Sequence, residues 1–247
     1  MYRVYAITDI GRQREQNQDG FMLDGICCSN TEHREIYYET DAPSVHVAIC
    51  DGVGSTQYAV YAVEKAMEFM SHHLLVSNEH ELEKTVVDMN AYVYRETNAS
   101  NKADAASTIA GIVLNGNAAY AYNIGDSPIF SINNGYLEQL SVEDTGAALF
   151  GEAVDTDADG IQIKPPLLQS IGTNELLDLV HIKKCIGSMA YMLCSDGITD
   201  ILSLDEMEEI LASSESIKEV AEQFVNAANC RGGFDNSTVI LLVDEED

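Results

Sequence analysis

Val45-His46-Val47-Ala48-Ile49-Cys50-Asp51-Gly52 is a nearly unbroken apolar run that stops on a carboxylate and a glycine. A run without polar alternation suits a strand covered on both faces, because neither face can turn charge toward water. Downstream, the apolar residues between Tyr58 and Leu75 fall at helical spacing, and Leu82, Val86, Met89 and Val93 repeat the pattern in a second helix. Two helices adjacent in sequence predict an αα pair. Upstream, residues 2–8 and 20–28 read as extended.

The middle of the chain reads as β. Ser107–Leu114 and Ala118–Ile124 flank Asn115-Gly116, and Ile129–Ile132 and Tyr136–Leu140 flank a turn containing Asn134-Gly135. Asn-Gly between short apolar runs signals a hairpin, since both residues tolerate positive φ. These runs predict an antiparallel meander, and Leu177–Ile182 with Ala190–Cys194 predict a further hairpin around Gly187. Residues 141–176 show no clear period and read as a flap or insertion. Ser203-x-x-Glu206 and Ser216-x-x-Glu219 are capping boxes that announce two more helices. The second of these carries Ile217, Val220, Ala221, Phe224 and Ala228 on one face. A closing strand runs over Thr238–Val243. The order predicts an α+β fold of two stacked sheets with helices outside, in one domain spanning 1–247.

Composition narrows the function classes. The chain has 247 residues, 46% of them hydrophobic, and a net charge of −28 from 13 Lys+Arg against 41 Asp+Glu. That hydrophobic content belongs to a folded chain rather than an acidic disordered tail. A field this negative repels phosphate backbones, so no nucleic-acid partner is expected, while metal ions or basic protein segments suit it. No window approaches the roughly eighteen apolar residues of a membrane span. The start, MYRVYAITDIG, lacks the apolar core of a signal peptide. The six cysteines include Cys50 and Cys194 inside apolar runs, where thiols pack as small hydrophobes. A reducing cytoplasm is therefore the expected compartment. Nothing in the chain demands a dimer, so a monomer is expected.

Position singles out a few of the many carboxylates. Asp51-Gly52 ends one apolar strand, Asp196-Gly197 ends another, and Asp235-Asn236 precedes Ser237-Thr238-Val239-Ile240-Leu241-Leu242-Val243. Asp126, in Gly125-Asp126-Ser127, links two β runs, and Asp19 closes the segment Gly11–Asp19. Asp-Gly and Asp-Asn are also ordinary turn dipeptides. If these strand ends converge on one rim, their charges repel unless a cation sits among them, and oxygen-only ligands favour Mg²⁺ or Mn²⁺.

In sequence order, Thr8-Asp9-Ile10-Gly11 with Arg14-x-x-Asn17-x-Asp19, then Asp51-Gly52-Val53-Gly54, Gly125-Asp126-Ser127, Cys194-Ser195-Asp196-Gly197-Ile198-Thr199-Asp200 and Gly232-Gly233-Phe234-Asp235-Asn236-Ser237-Thr238 resemble the motif set of the metal-dependent protein phosphatases, the type 2C serine/threonine family, in a compact bacterial form. The resemblance runs from Thr8 to Val243. It implies a four-layer α-β-β-α sandwich and hydrolysis of phosphoserine and phosphothreonine in proteins. It also implies two Mn²⁺ or Mg²⁺ ions, with a third, weaker site as in bacterial members. Asp51 resembles the carboxylate bridging two ions, with the Gly52 carbonyl as a further ligand. Asp196 and Asp235 resemble the remaining ligands of the first ion. Asp126, with Asp196, resembles the third site, and Asp19 a supporting acid at or beyond the edge of the ligand set. A water held between two ions would then attack phosphorus in line, with no covalent intermediate.

Arg14 is the choice for gripping the substrate phosphate, because a guanidinium fork matches two phosphate oxygens. The plainer alternative is that Arg12 and Arg14 neutralise nearby acids. Three departures from the family pattern stand out: Gln18 where an acid is usual, Val53 where eukaryotic members carry a histidine, and Ser55 in place of a glycine. None removes a core ligand.

The flap stretch Asp144–Ser170 is the least family-like. It contains Asp155-Thr156-Asp157-Ala158-Asp159-Gly160, which opens like an EF-hand loop but has Pro166 where the bidentate Glu belongs. Its acidity would favour phosphopeptides with Lys or Arg nearby. Phosphorylated proteins, products of a serine/threonine kinase, are the expected partners. Two other readings stand beside the enzyme: a catalytically impaired relative that binds phosphoproteins or other partners, and a generic acidic cation binder.

Overall fold

The structure, a computed structural model, describes residues 1–53, 58–73, 76, 78–116, 118–151, 165–185 and 189–245. The first part of the chain gives β1 (Tyr2–Asp9), β2 (Gly20–Leu23), β3 (Ile26–Ser29), β4 (His33–Thr40), β5 (Ser44–Cys50) and β6 (Gly52–Val53). Then come α1 (Ala59–Ser71), α2 (Glu79–Ala99), β7 (Ala106–Ser107), β8 (Ile109–Asn115), β9 (Ala118–Ile124), β10 (Ile129–Asn133) and β11 (Tyr136–Gln139). The last part holds α3 (Gly146–Phe150), β12 (His181–Cys185), β13 (Ala190–Cys194), α4 (Asp196–Thr199), α5 (Leu204–Ser213), α6 (Ile217–Cys230) and β14 (Ser237–Asp244).

Two six-stranded antiparallel sheets result, ordered β11-β10-β13-β14-β1-β4 and β12-β9-β8-β5-β2-β3. Helix α1 packs on β2, β3 and β5 with α2 beside it, and α6 packs on β1 and β14 with α5 beside it. This is the expected α-β-β-α layering. The doubly covered strands explain the unbroken apolar runs. In β1, Val4 and Ala6 join the core between the sheets, whereas Tyr5 and Ile7 face α6. In β14, Ile240 and Leu242 point one way and Val239 and Leu241 the other. Residues Val45, Val47, Ala48, Ile49 and Cys50 of β5 are all buried. Burial of each such side chain stabilises by about 1.5–3 kcal/mol, which is why the alternation is lost here.

Several expectations need correction. The predicted meander is two hairpins in different sheets: β8 pairs with β9, β10 pairs with β11, and β10 lies beside β13 in the other sheet. Gly125-Asp126-Ser127 therefore carries the chain from one sheet to the other. The hairpin predicted from Leu177–Ile182 and Ala190–Cys194 is also absent, since β12 pairs with β9 while β13 lies between β10 and β14. Exposed Lys183 and Lys184 suit β12 to a sheet edge. The buried run Tyr191–Cys194 needs partners on both sides. Residue Gly187 itself lies outside the described residues, as do Gly54, Ser55, Leu75 and the Asp155–Gly160 loop.

Two β features escaped the sequence reading. Residues 20–28 are a hairpin turned at Asp24-Gly25 rather than one extended piece. Strand β4, polar and half exposed, covers the outer edge of β1. At Asn134-Gly135 the expected turn is present, with φ of 53° and 84°. The Ser203–Glu206 capping box is complete in both directions. At α6, Ser216 accepts from the Glu219 amide, but the Glu219 carboxylate takes the Glu215 N–H instead.

One polar contact crosses the apolar interior. Tyr122 of β9 lies over Gly111 of β8, where a Cβ would overlap its ring, and so reaches the imidazole of His46 on β5. The Tyr122 hydroxyl and His46 Nε2 are 2.7 Å apart, and His46 is 1% exposed. Burial holds the His46 pKa down at about 4, against an ordinary 6.5. Between those values the unfolded chain binds more protons than the folded one, so stability falls as pH drops from 6.5 toward 4. The full contribution of such a shift is about 3 kcal/mol. His46→Gln is expected to flatten urea-unfolding stability across that window relative to the parent chain. Gly111→Ala should destabilise the fold by about 1–3 kcal/mol through overpacking against Tyr122, read as a lower urea midpoint at unchanged slope.

Candidate active site

The strand ends and sheet-to-sheet connections meet at one rim, around a cleft of about 370 Å³. Asp51, Asp126, Asp196, Asp235 and Arg14 all line it, with Gly52, Gln18 and Asn236. The sequence-selected residues are thus brought together from five separate segments. Asp19 is set behind this surface, 2% exposed.

Asp51 is held by its own backbone. Its N–H donates to Thr108 Oγ1 at 3.0 Å, and its carbonyl accepts from the Thr108 N–H at 2.8 Å and from Ser107 Oγ at 3.1 Å. Thr108 Oγ1 also lies 2.8 Å from Ser127 Oγ. One threonine therefore ties the Asp51 strand end to the Asp126 turn. Next to Asp51, the Gly52 N–H donates to the Gln18 carbonyl at 3.2 Å, and a Cβ on Gly52 would crowd that carbonyl and the Ala59 side chain.

Asp196 opens α4, directly after Ser195. Ser195 makes no side-chain cap; its hydroxyl donates to Asp19 Oδ2 at 2.7 Å and accepts the Thr238 N–H at 3.0 Å. Thr238 Oγ1 donates to the same Asp19 oxygen at 2.7 Å. A side chain at Gly197 would overlap the Asn236 carbonyl, so only glycine lets α4 start against the Asp235-Asn236 turn.

Asn236 fastens the arginine-bearing segment to that turn. Its Nδ2 donates to the carbonyls of Ile10 and Gln16 at 2.9 and 3.2 Å, and its Oδ1 accepts from the Gln18 N–H at 2.9 Å. Asn17, 2% exposed, completes the fastening through Thr8 Oγ1 and the Thr31 carbonyl. Arg14 then reaches Asp235, Nη2 to Oδ2 at 2.5 Å. This contact engages one Nη of the guanidinium. Arg12 instead turns toward Asp9 and the Gly11 carbonyl.

Electrostatics describe an over-charged anionic site. Burial, then the neighbouring charges of Asp196, Asp19 and Asp126, raise the Asp51 carboxyl well above its ordinary range, and Asp51 and Asp196 stand close enough to hydrogen bond. Burial also lifts Asp19 to about 7, against the bonds from Ser195 and Thr238 that favour its anion. Burial disfavours the Arg14 charge, but its bond to Asp235 and the fields of Asp235, Asp196 and Asp51 prevail and raise its pKa. Two carboxylates within bonding reach repel as anions and need a proton or a cation between them. With oxygen-only donors and the Gly52 carbonyl alongside, a hard divalent ion fits. Among the described residues no three such side chains are already drawn to ligand distance.

Thr108, Ser127, Ser195, Thr238 and Asn236 were not singled out as site residues. Ser127, Ser195, Asn236 and Thr238 sit beside Asp motifs and Thr108 beside none, and their spacing carries no signal of which carboxylate they hold. Pro165 and Leu167, from the flap base, also line the cleft.

Known proteins resemble this chain in sequence and in fold. The protein phosphatase 2C family model matches residues 25–232. The serine/threonine phosphatase stp of Listeria monocytogenes is 29% identical over 95% of this chain and 93% of its own. Protein phosphatase PhpP of Streptococcus pneumoniae is 26% identical over 99% and 98%. Among solved structures, serine/threonine phosphatase Stp1 from Staphylococcus aureus superposes with a TM-score of 0.80 at 19% identity, covering 100% of this chain and 96% of that one. The Mycobacterium tuberculosis phosphatase PstP/Ppp gives 0.75 at 21% identity, covering all of both chains. The chain belongs to the protein phosphatase 2C family.

Proposed function

We propose that this chain is a single-domain, Mn²⁺- or Mg²⁺-dependent phosphatase that hydrolyses phosphoserine and phosphothreonine in proteins. The observation that carries the reading is the convergence of Asp51, Asp126, Asp196 and Asp235 around the one cleft that also receives Arg14. Unaided, four carboxylates would repel a phosphate dianion, so the site makes chemical sense only with cations among them. Asp51 with the Gly52 carbonyl, Asp196 and Asp235 would hold two ions, and Asp126 with Asp196 a third. Bound there, such ions supply charge neutralisation and an acidified water for in-line attack at phosphorus.

The chain's own groups would do the rest. Arg14, anchored on the segment that Asn236 fastens, orients two phosphate oxygens. Asp19, held by Ser195 and Thr238, sits behind the ligands and, once cations offset its raised pKa, would add negative charge that tightens their hold. Gln18, lining the cleft, removes one charge from this set. The net charge of −28 favours phosphoprotein segments with basic flanks. A cytoplasmic monomer fits this reading, and the exposed thiols Cys27 and Cys230 suit a reducing compartment. No helix among the described residues is long and apolar enough to cross a membrane. The intact carboxylate set weighs against an impaired, binding-only relative.

Hydrolysis of p-nitrophenyl phosphate tests the proposal. Turnover is expected with Mn²⁺ or Mg²⁺, to vanish in EDTA, and to fall by roughly hundredfold or more in Asp51→Asn. A folded protein inactive with every metal would overturn it. Arg14→Ala should raise KM for a phosphopeptide by about tenfold or more, since a bidentate charge-assisted contact is lost. Unchanged KM would leave Arg14 as a neutraliser of Asp235 only.

A further inference from the structure

Asp144 lies outside the carboxylate set of the cleft, yet it is 2% exposed, deeper than any other flap acid described. A buried carboxylate is costly unless its oxygens find donors, and each oxygen of Asp144 has a partner. Oδ2 accepts from the Gly125 N–H at 2.7 Å, and Oδ1 lies 2.8 Å from His181 Nε2. The imidazole therefore faces the carboxylate through Nε2. The backbone of Asp144 repeats the link in both directions. Its N–H donates to the Gly125 carbonyl at 3.0 Å, and its carbonyl accepts from the Leu168 N–H at 2.8 Å.

One residue therefore touches three segments: the turn carrying Asp126, the returning base of the flap, and β12 through His181. The turn has little freedom elsewhere. Gly125 has φ of +99°, and its other side is walled by Thr108, whose Cγ2 would lie 2.7 Å from a Cβ built there. The flap base is seated equally firmly. Thr145 and Leu167 form a β-bridge, and Gln169 donates to the Leu179 carbonyl at 2.7 Å and accepts from the Asp178 N–H at 2.6 Å. Leu167 is itself a wall of the cleft.

We infer that the buried Asp144–His181 pair is a positioning device that locks the Gly125-Asp126-Ser127 turn to the base of the flap, so that the setting of the Asp126 carboxylate depends on how that base is seated. His181 acts through Asp144 and touches no reacting group. Its consequence for cation binding rests on the phosphatase reading; the mechanical link does not.

Hydrogen–deuterium exchange of the full chain without added metal tests the link, comparing the parent, His181→Phe and His181→Gln. In His181→Phe the amides of 125–127 and 168 are expected to exchange about tenfold faster, while those of β8 do not change. His181→Gln keeps a donor for Asp144 and is expected to restore the parent rates. Mn²⁺ titration followed by electron paramagnetic resonance should then show the weakest site about tenfold weaker in His181→Phe. Unaltered exchange at 125–127, or uniform acceleration throughout the fold that His181→Gln does not reverse, would overturn the inference. A parent chain that shows the exchange pattern but neither binds Mn²⁺ nor hydrolyses p-nitrophenyl phosphate would uphold the link and sink the phosphatase reading instead.

Discussion

Mutual repulsion of carboxylates is the constraint on which this molecule is organised. Asp51 and Asp196 stand within hydrogen-bonding reach, with Asp19 and Asp126 in the same field, and each would be more stable apart. The fold holds them together by giving every one a rigid mount. Asp51 ends a buried strand, Asp196 begins a helix, Asp235 precedes the last strand, and Asp126 rides the connection between sheets. Backbone and hydroxyl bonds from Thr108, Ser195 and Thr238 fix those mounts. A site made of flexible side chains would simply spread; here the rigid mounts keep the carboxylates together against their repulsion.

Much of this was legible in the chain. Strands buried on both faces announce themselves as unbroken apolar runs, so β5, β13 and β14 and the carboxylates at their ends are read directly. What could not be read was partnership. Ala118–Ile124 and Ile129–Asn133 look like neighbours, yet the chain changes sheets between them, because nothing local in Gly125-Asp126-Ser127-Pro128 says which layer comes next. Strand β4 was invisible for the opposite reason. Its polar, half-exposed pattern, with Tyr37 and Glu35 outward, lacks the hydrophobic signature of its neighbours.

The same asymmetry holds at the site. Aspartates followed by glycine or asparagine stand out against a background of many acids because they occupy strand ends in a set order. The residues that hold them do not. Asn236 is one asparagine among many, and its role as a staple between residues 10, 16 and 18 exists only after folding. Asp144 and His181 are 37 positions apart and share no motif. Hydrogen-bond partners chosen by tertiary contact leave little trace in linear spacing.

The pairing of β1 with β14 has a consequence for how the protein comes into being. Arg14 meets Asp235 across 221 residues, and Asp19 receives Thr238 across 219. Strand β14 lies between β13 and β1, so that sheet closes only when β14 reaches β1. Contacts of such long sequence separation close slowly, after the local hairpins and helices have formed. Assembly of the cleft is therefore a late folding event, because Arg14 and Asp235 meet only once β14 is seated beside β1.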